Sequence, residues 1–210
     1  MDGTIIDSEH YWMAAERTLV ESFGGVWTDE DGLALVGSSM WHSSRVIQAH
    51  GVDLPEMEIV DRLTEAVRLS ILENVPWRPG ARELLLALTE HSVPMALVTM
   101  SQRTLAELVV AAIEFPAFAA IVSGNDVTHG KPHPEPYLLG AELLGVMIAD
   151  CVAIEDSEPG LASAVASGAV SIGVPHAVPL LEGSTHTLWD SLDGRTVDHI
   201  ADVYSRGRAS

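Results

Sequence analysis

The chain has 210 residues, 47% hydrophobic and 20% charged, which supplies a packed core and does not fit a disordered protein. Eleven basic residues against 30 acidic ones give a net charge of -19, which argues against nucleic acid and anionic membrane surfaces as partners. No apolar run has the length of a membrane span, the start lacks a signal-peptide pattern, and the lone Cys151 makes no internal disulfide, so a cytoplasmic monomer is expected.

The chain opens Met1-Asp2-Gly3-Thr4-Ile5-Ile6-Asp7. Asp-Gly-Thr at a strand end sets a carboxylate beside a tight turn and its backbone N–H groups, a place to hold a metal and a phosphate. Ser8 can cap a helix running to about Phe23, which Gly24-Gly25 would end. Helices are then expected over 29–36, 43–50 and 55–74, the last with Ile59, Leu63, Val67 and Ile71 on one face. Strand signals are missing between residues 8 and 75, so residues 8–77 read as a helical cap inserted between core segments 1–7 and 78–210. Val75-Pro76-Trp77-Arg78-Pro79-Gly80 is the second hinge.

From there strands and helices alternate. Helices are expected over 81–90, 102–113, 134–144 and 159–167, with strands over 94–99, 119–123, 151–154 and 169–174. That alternation predicts an α/β fold, a Rossmann-like parallel sheet with helices on both faces. After Val174 the pattern weakens to short helices over 185–192 and 197–204 and a frayed end from Arg206 to Ser210.

The polar tips of the apolar strands converge on one crevice in such a sheet. Thr99 ends Ala96-Leu97-Val98; as a strand residue it needs no function, and Ser101 can cap the following helix. Lys131 stands in His129-Gly130-Lys131-Pro132-His133-Pro134, where an exposed loop lysine is the ordinary reading. The spacing of His129 and His133 suggests zinc, but the prolines argue against a helix that holds both rings on one face. Glu155-Asp156-Ser157 can simply cap a helix, yet two adjacent carboxylates at a strand end are costly without a cation, and Mg2+ takes carboxylate oxygens.

On Asp2-Gly3-Thr4, Thr99, Gly130-Lys131-Pro132 and Glu155-Asp156, the chain resembles the haloacid dehalogenase-like (HAD) hydrolase superfamily, in its branch with a helical cap. The resemblance covers nearly everything up to Val174. It implies a Mg2+-dependent phosphomonoester hydrolase that acts on a small phosphorylated metabolite through an aspartyl-phosphate. It makes Asp2 the general acid/base and a metal ligand through its carbonyl. Thr99 and Lys131 become catalytic phosphate-binding residues with Gly3 beside them, Asp156 a direct metal ligand, and Glu155 its second-shell or water-bridged support. The family's nucleophile is the first Asp of Asp-x-Asp-Gly-Thr and falls just before Met1, which stands at x. The expectation is therefore an N-terminal truncation, with an internal Met taken as the start and a central strand missing from the sheet. The competing expectation is an inactive product. A β-phosphoglucomutase-like mutase is a further alternative, but the positions of its His and Arg fall on Trp12 and about Met40. A 2-haloacid dehalogenase would not need Glu155-Asp156. Trp12, Trp41, His42 and Arg45 are candidates for contacting the leaving group, with core packing the ordinary reading of both tryptophans.

Overall fold

Residues 1–208 are described by the structure, a computed structural model. Between residues 8 and 75 the chain forms helices and loops only: α1 (Glu9–Ser22), α2 (Asp29–Leu33), α3 (Met40–Ala49) and α4 (Glu56–Glu73). Thr28 starts α2 with a reciprocal capping box to Asp31, and the Ser39 hydroxyl caps α3. Ser8 precedes α1 but makes no capping bond. On α4, Ile59, Leu63, Val67 and Ile71 are all buried as the spacing predicts, and the helix packs on α1 and α3. Each such side chain contributes roughly 1.5–3 kcal/mol by leaving water.

The helical block is joined to the rest through two strands of linker that pair with each other. The Asp7 N–H donates to the Pro76 carbonyl at 2.7 Å, and the Arg78 N–H donates to the Ile5 carbonyl at 2.9 Å. Ile6 and Trp77 form an antiparallel bridge between them.

The remaining elements are α5 (Ala81–Glu90), β1 (Ala96–Val98), α6 (Arg103–Ala111), β2 (Ala120–Val122), α7 (Glu135–Leu144), β3 (Val152–Glu155), α8 (Glu158–Ser167), β4 (Val170–Gly173), β5 (Thr187–Leu188) and α9 (Val197–Arg208). Every strand pair is parallel, in the orders β1-β2 and β3-β4-β5. The α/β architecture predicted from the alternation is present, with α7 against β1 and β2 and α8 against β3 and β4.

Two segments differ from expectation. Residues 185–192 do not form a helix. Thr187 and Leu188 add to β4 as a strand, and the Trp189 N–H continues the ladder to the Gly173 carbonyl at 2.9 Å. Burial of Trp189 against the core outweighs the weak local preference. The last helix runs on through Arg206 to Arg208, because Val203 on its inner face is buried. Residues 209 and 210 of the expected frayed end lie outside the described residues.

The two sheets approach each other at β1 and β3. Among the described residues β1 pairs only with β2, and β3 pairs with β4 alone on its own side. An apolar cavity of about 430 Å³ lies there, lined by Leu97 and Val98 of β1, Ala153 and Ile154 of β3, and Leu84 and Leu88 of α5. Met1 lines this cavity and also the one that holds the acidic residues of the strand tips.

Candidate active site

The opening turn is fixed by its own backbone. The Gly3 N–H donates to the Ile6 carbonyl at 2.8 Å and the Ile5 N–H to the Met1 carbonyl at 2.8 Å. The Gly3 N–H is thus spent inside the turn. What demands glycine there is steric: φ is 67°, and a Cβ would come within 2.0 Å of Asp156 Oδ2. Thr4 Oγ1 donates to Asp156 Oδ1 at 2.8 Å, which ties the turn to the β3 tip.

Asp2 is held by three donors. Ser8 Oγ donates to Oδ1, Trp12 Nε1 reaches the same oxygen at 3.4 Å, and Ser101 Oγ donates to Oδ2 at 2.6 Å. Ser8 and Ser101 therefore serve the carboxylate and do not cap helices, and Gln102 takes the cap position of α6. Their sequence signal, a serine before a helix, is the same for both roles. Thr99 is buried beside them, with Oγ1 accepting from the Ser101 N–H at 3.2 Å.

Lys131 is not an exposed loop lysine. Its side chain is 9% exposed, Nζ donates to the Val98 carbonyl at 3.2 Å, and it pairs with Glu155 Oε1. Tyr137 OH donates to the same oxygen, and the ammonium lies 5.2 Å from the Tyr137 ring centroid. Tyr137 escaped the sequence reading because a buried aromatic on a helix looks like ordinary core. Burial opposes ionisation of Glu155, but Lys131 and the hydrogen bonds from Lys131 and Tyr137 outweigh it and hold the carboxyl below its usual value. Burial, and then the charge of Glu155, push the Asp156 carboxyl up to about 6.

Asp2, Thr99, Lys131, Glu155 and Asp156 line one cavity together with residues of the helical block. The 36–38 loop closes over it: a Cβ at Gly37 would come 2.8 Å from the Ser157 Cβ. From the block the lining includes Glu9, Trp12, Glu16, Leu35, Met40 and Ser43, whereas Trp41, His42 and Arg45 are not part of it. Arg45 instead faces Glu56 at 3.5 Å. Burial first, then neighbouring carboxylates, raise both Glu9 and Glu16 to about 8.

The donor set fits a hard cation. Buried Glu155 and half-buried Asp156 stand beside Asp2, with Lys131 as the positive side chain that acts on them. Glu155 is committed to Lys131 and Tyr137, which leaves Asp156 the better placed to meet an ion directly. Separately, His129 and His133 in the loop and Glu135 at the start of α7 bring ligand atoms within 4.8 Å of one another. Glu135 there accepts the Thr128 and His129 backbone N–H groups and so clasps the loop.

A family model described as haloacid dehalogenase-like hydrolase matches residues 1–174. The chain belongs to the haloacid dehalogenase-like hydrolases. Among this family, the fructose-1-phosphate phosphatase YqaB of Escherichia coli is 32% identical over 176 residues, covering 83% of this chain and 93% of the relative. The β-phosphoglucomutase of Bacillus subtilis is 28% identical over 189 residues, covering 86% and 83%. The crystal structure of CbbY from Rhodobacter sphaeroides in complex with phosphate superposes with a TM-score of 0.83 at 25% identity, over 92% of each chain. The chain is thus similar both to a phosphatase and to a phosphomutase.

Proposed function

We propose that the chain is a Mg2+-dependent phosphomonoester hydrolase for a small phosphorylated metabolite. The observation that carries this reading is the gathering of Asp2, Thr99, Lys131 and Asp156, from four separate segments, around one cavity. Thr99 and Lys131 bind the phosphoryl oxygens, and Lys131 balances charge that builds in the transition state. Asp2, oriented by Ser8, Trp12 and Ser101, protonates the leaving oxygen and later takes a proton from the attacking water. Asp156 and the Asp2 carbonyl would hold Mg2+, with Glu155 behind, and the ion would screen the phosphoryl charge.

The nucleophile of this scheme is an aspartate that forms an aspartyl-phosphate. We place it at the end of an extended apolar segment seated in the cavity between β1 and β3 and leading into Met1. That cavity is apolar, flanked by strand edges, and reaches the site at Met1. A mutase reading is less favoured, because Trp12 and no histidine faces Asp2 from α1. The relative YqaB, a phosphatase for a sugar phosphate, supports a small phosphorylated metabolite as substrate.

The test is phosphate release from an aryl phosphate by a form extended with such a strand and aspartate. Asp156→Ala should abolish Mg2+-dependent turnover while the melting transition stays cooperative. Equal activity in EDTA, or full activity in the variant, would overturn the reading.

A further inference from the structure

The loop that delivers Lys131 carries three side chains that the hydrolysis does not use. His129 and His133 flank the lysine, Glu135 begins α7, and none of the three lines the cavity with Asp2 and Asp156. The histidines are exposed and the glutamate is half-buried. Both imidazoles turn Nδ1 toward one carboxylate oxygen. His129 Nδ1 lies 2.9 Å from Glu135 Oε2, and His133 Nδ1 lies 3.9 Å from it. The two ring centroids are 4.7 Å apart, with the planes at 35°.

We propose that His129, His133 and Glu135 form a surface zinc site that clamps the segment bearing Lys131. Zinc binds imidazole nitrogen and carboxylate oxygen at about 2.0–2.2 Å in tetrahedral geometry, which sets its ligand atoms roughly 3.3 Å apart. The two separations from Glu135 Oε2 bracket that value, and ligand atoms of all three residues lie within 4.8 Å of one another. Small rotations of two exposed rings about χ2, a soft torsion, close the set. The fourth position faces solvent.

The backbone holds these ligands in place. Glu135 Oε1 accepts the Thr128 N–H at 2.7 Å, and Oε2 accepts the His129 N–H at 2.9 Å. The His133 N–H donates to the Gly130 carbonyl at 3.0 Å, and Ser163 Oγ donates to the His133 carbonyl at 2.6 Å. Supports of this kind orient a ligand before the ion arrives. The Thr128 N–H, and then the His129 ring, hold the Glu135 carboxyl below its usual value, so it is ionised as a ligand must be. The nitrogen donors select the ion. Mg2+ takes oxygen ligands, whereas imidazole suits zinc. The competing account is a local knot of hydrogen bonds, in which His129 pairs with Glu135 and His133 Nδ1 accepts the Glu135 N–H at 3.2 Å.

The experiment is calorimetric titration of the 210-residue chain with zinc chloride in excess Mg2+, followed by hydrogen exchange over residues 128–135. One zinc per chain should bind. His129→Ala and His133→Ala should each weaken it at least about tenfold, the lower end of what loss of even a supporting contact costs. His91→Ala, on an exposed histidine outside the cluster, should leave it unchanged. Zinc should raise the melting temperature of the parent and slow exchange over 128–135, and do neither in the double variant. Equal zinc binding by the parent and both cluster variants would put the ion elsewhere and overturn the proposal. Zinc binding that leaves exchange over 128–135 unchanged would overturn it without recourse to any variant. Absence of zinc binding would also overturn it, and a lower melting temperature of the cluster variants in zinc-free buffer would then assign the three residues to the local knot.

Discussion

At Glu16, burial keeps a proton on a group that ordinarily titrates at 4.5 and here titrates at about 8. Below pH 4.5 the folded and unfolded chains both hold that proton. Between 4.5 and about 8 only the folded chain holds it, so stability falls as pH rises through this window. The slope for one such group is about 1.4 kcal/mol per pH unit. Urea unfolding at pH 5 and pH 8 should show a smaller loss in Glu16→Gln than in the parent, and equal losses would mean that Glu16 is ionised at neutral pH. Lys131 makes a second case at this scale. With Lys131 9% and Glu155 4% exposed, Lys131→Ala would strand a buried carboxylate, and a broken buried pair costs about 3–5 kcal/mol. The same unfolding measurement checks it, and Arg62→Ala, on an exposed surface pair, should move stability by about 1 kcal/mol or less.

Among the elements, α4 carries the helical block. Leu63 is 1% exposed in its buried seam, and Leu63→Ala should cost about 2–5 kcal/mol by chemical denaturation. The two linkers that join the block to the core are held by the Ile6–Trp77 bridge and two flanking hydrogen bonds. That arrangement permits rotation about a short paired segment without breaking α1 or α4. The 36–38 loop rides on the block and lies against Ser157, so such a rotation would open the cavity. Distances between spin labels at exposed positions Arg62 and Glu142 should shorten on phosphate binding. No change in distance would mean that the block and core act as one body.

For the whole molecule, the cavity between β1 and β3 is the main gap in the apolar packing. It is lined by apolar side chains and flanked by strand edges that lack partners among the described residues. A strand seated there would bury several large side chains at roughly 1.5–3 kcal/mol each, comparable to the roughly 5–15 kcal/mol stability of a whole domain. Expression side by side should therefore give a higher melting temperature and measurable aryl phosphatase activity for the form extended upstream of Met1. Equal melting and equal turnover of the two forms would refute this account of the cavity.

The periodicity of Ile59, Leu63, Val67 and Ile71 determined a helix and its buried face, and the strand–helix alternation from residue 81 onward determined the α/β class. Those signals are local, because spacing along a chain decides which side chains share a face. Asp2, Thr99, Lys131 and Asp156 stood out through short motifs that resemble those of the haloacid dehalogenase-like hydrolases, and each taken alone has an ordinary structural reading. Tertiary structure alone decided that Ser8 and Ser101 bond Asp2, that Tyr137 meets Glu155, and that Glu16 sits buried. A serine before a helix, a tyrosine within one and a glutamate on one are ambiguous in sequence. Their roles depend on which distant group the fold sets opposite them, as with Tyr137 and Glu155, 18 positions apart, or Asp2 and Ser101, 99 apart. The strand at 187–188 was hidden likewise, since two residues hold no period and only the free edge of β4 and the burial of Trp189 select it.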